Sequence, residues 1–215
     1  MKARRAVFLD RDGVLVHNVF YADTEVWEAP RTLSDFKLVT EAPLALKRLI
    51  DAGFELILVS NQPNVALGKS THDDLADMDR ALVRALGEQG VTLLERCYCL
   101  HHPRSIHVQL GGRCNCRKPS PYWIHRAAAR YELALAECWM IGDRETDSEC
   151  AARASVRAIR VVNSQESAPL AAVDDPYALQ KVQNIAEAVE VILSAPDLGK
   201  QWGTSPEFGA FSPLA

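Results

Sequence analysis

The segment Ala6-Val7-Phe8-Leu9-Asp10-Arg11-Asp12-Gly13-Val14-Leu15 joins an apolar run directly to two acids and a glycine. A short apolar run bounded by a turn signal reads as a buried strand. Its carboxyl end delivers Asp10 and Asp12 to the rim of a sheet, where ligands bind in open α/β proteins. Two acids there can divide the labour, one attacking or holding a metal and the other moving protons. A plain turn and a calcium loop compete with this reading. A calcium loop begun at Asp10 needs a further oxygen ligand where Val14 stands and a glutamate where Tyr21 stands, so calcium is rejected. The plain turn is weighed by what the rest of the chain supplies.

The chain has 215 residues, 48% of them hydrophobic, which suits one α/β domain with a proper core. A net charge of −4 argues against a nucleic-acid partner. No apolar run reaches the length of a membrane span, and the basic start Met1-Lys2-Ala3-Arg4-Arg5 leads into too short an apolar stretch for a signal peptide. A cytoplasmic monomer without a membrane partner is the expectation. Six cysteines stand at 97, 99, 114, 116, 138 and 150, four of them within twenty residues. Without a secretion signal, such crowding favours metal over disulfide.

Strand and helix patterns alternate. Strands are expected at Val7–Leu9, Phe54–Ser60, Leu93–Cys99, Trp139–Gly142 and Arg157–Val162. Helices are expected at Pro43–Ala52, closed by Gly53, from Thr71 to Leu86, at Pro121–Tyr131, Asp147–Ala154 and Asn184–Leu193. The segment from Val16 to Asp35 reads as a loop. This alternation predicts a parallel sheet covered by helices on both faces. The domain is expected to span 1–195, with a loosely ordered tail over 196–215 rich in Pro, Gly and Ser.

Three strand ends then carry chemistry: Asp10/Asp12, Ser60-Asn61 and Asp143. Between them stands Arg117-Lys118-Pro119, a pair of cations in an acidic chain. Acids that hold Mg²⁺, with a hydroxyl and a lysine for phosphoryl oxygens, suit phosphoryl transfer. These blocks resemble, in order, the four motifs of the haloacid dehalogenase superfamily of phosphotransferases. Asp10-x-Asp12-Gly13 is similar to the first, Ser60 ends the second, Lys118 matches the third and Gly142-Asp143-x-x-x-Asp147 the fourth. The resemblance implies a Rossmann-like domain, Asp10 as nucleophile forming an aspartyl phosphate, and Asp12 as the acid and then the base. It also implies Mg²⁺ on Asp10, the Asp12 carbonyl and Asp143. Asp147 is read as a helix N-terminal acid in preference to a ligand.

Cys99-Leu100-His101 and Cys114-Asn115-Cys116 supply four ligands in two short clips, a set that suits tetrahedral, structural Zn²⁺. The segment between them ends in Gly111-Gly112 and has no core pattern, so a metal would fold it locally. By residue type alone, Cys97, His102 and His107 are further candidates. The pattern Cys-x-His-His-Pro followed by Cys-x-Cys-Arg-Lys-Pro resembles the zinc-bearing branch of the superfamily, which includes heptose bisphosphate and histidinol phosphate phosphatases. That resemblance implies Zn²⁺ on Cys99, His101, Cys114 and Cys116 in a loop over about 97–118, and Asn61, Arg117 and Arg144 at the substrate. Cys138 and Cys150 are read as core.

The chain departs from that branch where substrate is met. Asn64-Val65-Ala66-Leu67-Gly68 replaces a Gly-Ile-Ala-Arg-Gly pattern, so an arginine is lost, with Lys69 nearby. Arg144 replaces a lysine, which keeps the charge and changes the geometry. The segment 16–35 is long and carries His17, Tyr21, Trp27 and Arg31. The expectation is a Mg²⁺-dependent phosphomonoesterase with no large cap domain, acting on a small phosphorylated metabolite. A heptose 1,7-bisphosphate leads, with histidinol phosphate or another sugar phosphate as alternatives. A zinc-stabilised binding module without catalysis is the alternative from another class; retention of Asp10, Asp12, Ser60, Lys118 and Asp143 together argues against it.

Overall fold

The structure, a computed structural model, describes residues 4–163 and 173–195. Its frame is a six-stranded sheet in the order β5-β4-β1-β6-β7-β8, parallel throughout. The strands are β1 (Arg5–Leu9), β4 (Phe54–Asn61), β5 (Glu95–Cys99), β6 (Trp139–Gly142), β7 (Arg157–Val161) and β8 (Gln180–Val182). The first of these lies between β4 and β6, with Leu9 opposite both Leu58 and Ile141. The chain runs outward from β1 to β4 and β5, then returns to β6 and runs the other way. Strand order therefore reverses beside β1, and in such sheets the crevice at the strands' carboxyl ends takes the ligand.

The period-two alternation of β1 explains why both faces are covered. Val7 and Leu9 enter one apolar cluster with Leu46 and Leu49 of α1 (Ala42–Asp51) and Val189 and Ile192 of α5 (Ile185–Ser194). Leu82 and Leu86 of α2 (His72–Gly87) join them. Ala6 and Phe8 enter the other with Ile124 and Ala127 of α3 (Tyr122–Tyr131) and Cys150 and Ala151 of α4 (Glu145–Arg153). Burial on both faces is what a parallel strand requires, and it is why the segment reads as a continuous apolar run.

The helix ends follow their capping residues. Thr71 accepts from the backbone N–H of Asp74 at 3.0 Å while Asp74 accepts from that of Thr71 at 2.8 Å, the reciprocal pair that starts α2. Asn184 starts α5 by accepting from the N–H of Glu187 at 2.9 Å. Gly53 follows α1 at φ +84°, as expected for a helix stop.

Two elements correct the sequence reading. The segment 16–35 is not all loop: β2 (Val19–Tyr21) and β3 (Val26–Glu28) form an antiparallel hairpin, with Phe20 opposite Trp27 and their rings edge-on at 5.8 Å. Its turn gave no glycine or Asn-Gly signal because Glu25 takes the positive φ of 54°. The edge strand β8 is also an addition, three residues long and with only Val182 buried. The helix expected from Asp147 starts two residues earlier, at Glu145. The expected tail lies outside the described residues. Among the described residues no helix is long and apolar enough to cross a membrane.

Candidate functional site

Asp10 leaves the end of β1 with its backbone N–H tied to the carbonyl of Ile141 at 2.9 Å, so the two central strands fix where its side chain begins. Lys118 reaches it from the far side of the crevice. The ammonium Nζ lies 2.9 Å from Asp10 Oδ1 and 2.6 Å from Asp147 Oδ1, and donates to the carbonyl of Val59 at 2.7 Å. The backbone of Lys118 is bracketed by Asn61, whose Oδ1 accepts from its N–H at 3.0 Å and whose Nδ2 donates to its carbonyl at 3.2 Å. Burial works against the charged lysine, yet Asp10 and Asp147 outweigh it and raise its pKa above the ordinary lysine value.

Asp143, just after β6, completes the cluster. Carboxylate oxygens of Asp10, Asp143 and Asp147 lie within 4.8 Å of one another. Burial pushes Asp143 well above the carboxylate range, and the like charges of Asp10 and Asp147 push the same way. Burial also drives Asp147 up, to about 6, against the pull of Lys118. Asp143 Oδ2 accepts from Asn18 Nδ2 at 3.3 Å, while its Oδ1 is buried with no hydrogen-bond donor. Two buried acids and the half-buried Asp143 share one buried ammonium, with the exposed Arg144 Nε 3.9 Å from Asp143, and an oxygen-lined site of this kind fits a hard divalent cation.

Two glycines make the approach of these acids possible. A Cβ on Gly13, which sits at φ +76°, would come 2.3 Å from Asp143 Oδ2. One on Gly142 would come 2.2 Å from the Cβ of Asp147. Asp147 does cap its helix, as the sequence suggests, accepting from the N–H of Arg144 at 3.0 Å. Its other oxygen holds Lys118, a role that spacing along one helix gives no means of seeing.

Asp12 is held by two residues that the sequence reading passed over. Arg11, 1% exposed, donates Nε to Asp12 Oδ1 at 2.9 Å and Nη2 to Gln62 Oε1 at 2.7 Å. Gln62 donates Nε2 to Asp12 Oδ2 at 2.5 Å and lies 2.9 Å from Ser60 Oγ. An arginine inside a segment that must be buried was the available signal, since a buried charge needs a partner. Ser60 is itself buried and meets this network, whereas Asp10, Asp12, Asn61, Arg117, Lys118 and Arg144 line a cavity of about 930 Å³.

The second cluster forms where β5 ends. Cys99, His101, Cys114 and Cys116 each offer a ligand atom within 4.8 Å of the others. Cys99 Sγ lies 3.7 Å from that of Cys114 and 3.3 Å from that of Cys116, and Cys116 Sγ lies 3.5 Å from His101 Nδ1. A tetrahedral ion with metal–sulfur bonds of about 2.3 Å spaces its sulfurs about 3.8 Å apart, close to what is seen. All six cysteines are free; Cys97, Cys138 and Cys150 are buried in the core. His102 accepts from the N–H of Arg104 instead, at 3.1 Å. Arg117, next to Cys116, donates Nη1 to the carbonyl of His101 at 3.2 Å, so the clip aims a guanidinium at the cavity.

The hairpin supplies another wall. Glu28, at the end of β3, takes the ammonium of Lys69 on both oxygens, at 2.6 and 2.7 Å, and Arg31 Nη2 on one at 3.2 Å. Burial opposes this charge, but the bonds from Lys69 and Arg31 hold Glu28 below the usual range. Asn64 Nδ2 donates to the carbonyl of Ala29 at 3.2 Å and Ser70 Oγ to that of Arg31 at 2.6 Å, fastening the hairpin to the loop after β4. Glu28, Ala29, Asn64, Leu67 and Lys69 all line the cavity, as do Arg104, Arg113, Arg117 and Arg144.

Paired strand-end acids around a buried lysine, at the reversal of a parallel sheet, are the arrangement implied by the motif resemblance. The HAD-hydrolase-like family model matches residues 115–188. The chain belongs to the haloacid dehalogenase-like phosphatases, and it is an enzyme of that class acting on a phosphorylated substrate. It is 30% identical over 152 residues to a D-glycero-α-D-manno-heptose-1,7-bisphosphate 7-phosphatase of Photorhabdus laumondii, covering 71% of this chain and 79% of the relative. A β-anomer 7-phosphatase from the same organism is 31% identical over 154 residues, covering 70% and 76%. The crystal structure of D,D-heptose 1,7-bisphosphate phosphatase from B. bronchiseptica, complexed with magnesium and phosphate, superposes with a TM-score of 0.72 at 26% identity. That match covers 88% of this chain and 98% of the other.

Proposed function

We propose that this phosphatase removes the 7-phosphate of a D-glycero-D-manno-heptose 1,7-bisphosphate through an aspartyl phosphate on Asp10. The observation that carries the reaction is the Asp10 carboxylate held 2.9 Å from a buried ammonium that it shares with Asp147, with Asp143 beside them. Asp10 attacks phosphorus and the ester oxygen leaves with a proton from Asp12. Asp12 then takes a proton from the water that hydrolyses the acyl phosphate, returning free Asp10 and inorganic phosphate. Both Asp12 oxygens accept hydrogen bonds, from Arg11 Nε and Gln62 Nε2, so these two residues position the carboxyl group. Lys118 fixes the orientation of Asp10 and lies where phosphoryl oxygens enter; Asn61 completes that end of the crevice, and Ser60 supports it from beneath through Gln62. Asp10, Asp143 and the Asp12 carbonyl would hold Mg²⁺, which would supply the charge neutralisation that a carboxylate needs to approach a phosphate dianion. Zn²⁺ on Cys99, His101, Cys114 and Cys116 shapes the loop that carries Arg117 and Lys118. Arg117 and Arg144 meet the substrate's other charged or polar groups. We take the enzyme to be a cytoplasmic monomer whose single domain spans 1–195.

The test is phosphate release from both anomers of the heptose bisphosphate with Mg²⁺, set against histidinol phosphate and other sugar phosphates. Turnover of the heptose, reduced by about 10⁴-fold or more in Asp10→Asn, supports nucleophile and substrate together. Turnover of another panel member alone keeps the nucleophile and moves the substrate. Silence on every phosphomonoester, with Mg²⁺ and the clip metal both present, sinks the reading and leaves a binding module.

A further inference from the structure

Two cations stand near the mouth of the cavity on the hairpin side, and neither is available. Lys69 gives its ammonium to both oxygens of Glu28, and Arg31 is divided between Glu28 and Asp23, the latter at 2.8 Å. Across this wall, Leu67 and Asn64 are uncharged and the Ala29 carbonyl is already bonded. The loop from the metal clip contributes Arg104, Arg113 and Arg117 to the same cavity. The cavity is therefore polarised: its hairpin wall is internally neutralised and its clip wall is cationic.

We infer that Glu28 is a specificity-determining residue, which withholds Lys69 from the substrate so that the hairpin wall accepts an uncharged, hydroxyl-bearing end. A second anionic group on the substrate must then face the clip arginines. This rests on the sugar-phosphatase reading and adds which wall of the cavity reads which part of the sugar. The pairing is a positioned one: a carboxylate with 18% of its side chain exposed meets an ammonium at 26%, across 41 residues of sequence, at the end of a strand fastened to the opposite loop by two further hydrogen bonds. A screened surface pair would have little effect on the affinity of a ligand. Here the pair borders the site, so its charge balance acts at short range on whatever binds.

The experiment uses p-nitrophenyl phosphate hydrolysis by the full chain as reporter and measures competition by heptose 1,7-bisphosphate and heptose 7-phosphate. The ratio of the two inhibition constants reports the second phosphate alone. In Glu28→Gln the ratio shifts toward the bisphosphate by about two-fold or more, because the unpaired ammonium makes the hairpin wall cationic and adds its field to a cavity that already attracts a second phosphate. Glu28→Gln/Lys69→Met, which removes both charges of the pair, returns the ratio to the wild-type value. No gain in Glu28→Gln overturns the assignment. So does a bisphosphate that binds more weakly to the charge-neutral double variant than to the wild type, which shows Lys69 already engaged and decides the matter even if Glu28→Gln alone fails to fold. If the wild type cleaves the reporter but releases no phosphate from the bisphosphate, the substrate reading fails by itself, and the competition ratios still judge Glu28.

Discussion

The acid cluster and the Cys/His clip meet at Lys118, two residues after Cys116, yet they are held by opposite means. In the cluster every group hangs from regular structure. Asp10 ends β1, Asp143 follows β6, Asp147 caps α4, and Lys118 is gripped by Val59 of β4 and bracketed by Asn61. In the clip only Cys99 belongs to a strand; His101, Cys114 and Cys116 are half-buried on irregular chain. The backbone therefore builds the cluster whether or not an ion is bound, whereas the clip's shape belongs to its ion. That difference can be broken in either half.

The largest effect is expected from Lys118→Met. Among the described residues the ammonium is the only cation in direct contact with both Asp10 and Asp147, so its loss leaves buried acids facing one another. Removing one partner of a buried ion pair costs about 3–5 kcal/mol, and urea denaturation at pH 7 should show a loss of that order together with loss of turnover. Lowering the pH toward 5 should recover part of it, because the stranded carboxylates can then take protons. A variant as stable as the wild type at pH 7 would mean the cluster is not held together by this lysine.

The clip should respond differently. Cys116→Ser, or a chelator, is expected to open the segment 102–113 to protease and to release the metal. The denaturation midpoint of the sheet should move by less than about 1 kcal/mol, since those residues contribute nothing to either apolar cluster. Activity should still fall, by about 10- to 100-fold, through misplacement of Arg117. Metal analysis, limited proteolysis and kinetics on one preparation separate these effects. If chelation unfolds the whole chain in one transition, the clip is part of the core and the contrast drawn above is wrong.

The same division explains what could be read from the sequence. Strand-end chemistry is written in local pattern: Ala6–Leu9 must be buried on both faces, and the acids follow at once. Cys and His spacing is equally local, and the four clip residues come together as expected. The positions of Asp10, Asp143 and Lys118 relative to one another follow from the parallel order of the sheet. What stayed hidden were pairings between distant residues. Nothing near Asp147 points to Lys118, nothing near Glu28 points to Lys69, and Gln62 looks like a loop amide until Arg11 and Asp12 are beside it. The hairpin escaped because its stability comes from an aromatic pair and from contacts with the loop after β4, while its turn residues carry no signal.

The smallest effect, and the one that sharpens the contrast most, is a pH dependence of opposite sign in the two halves. In metal-free protein Asp147 titrates near 6 and Asp143 is also raised, against an ordinary value of 3.8. The native state then binds more protons than the unfolded chain between those limits. Stability from these acids is fully present below 3.8 and is lost as pH rises through about 6. Measured between pH 7 and 5, above the range where the lowered carboxylates Glu28 and Asp35 lose their own contribution, the metal-free sheet should gain stability on acidification. Mg²⁺ competes with those protons, so the rise in melting temperature it produces should be greatest at pH 7 and shrink toward pH 5. The clip does the reverse, because its ligands bind metal as thiolates and neutral imidazole, and acid displaces the ion and loosens the loop. A metal-free protein that loses stability from pH 7 to 5 would show that the acids are not crowded as the structure places them.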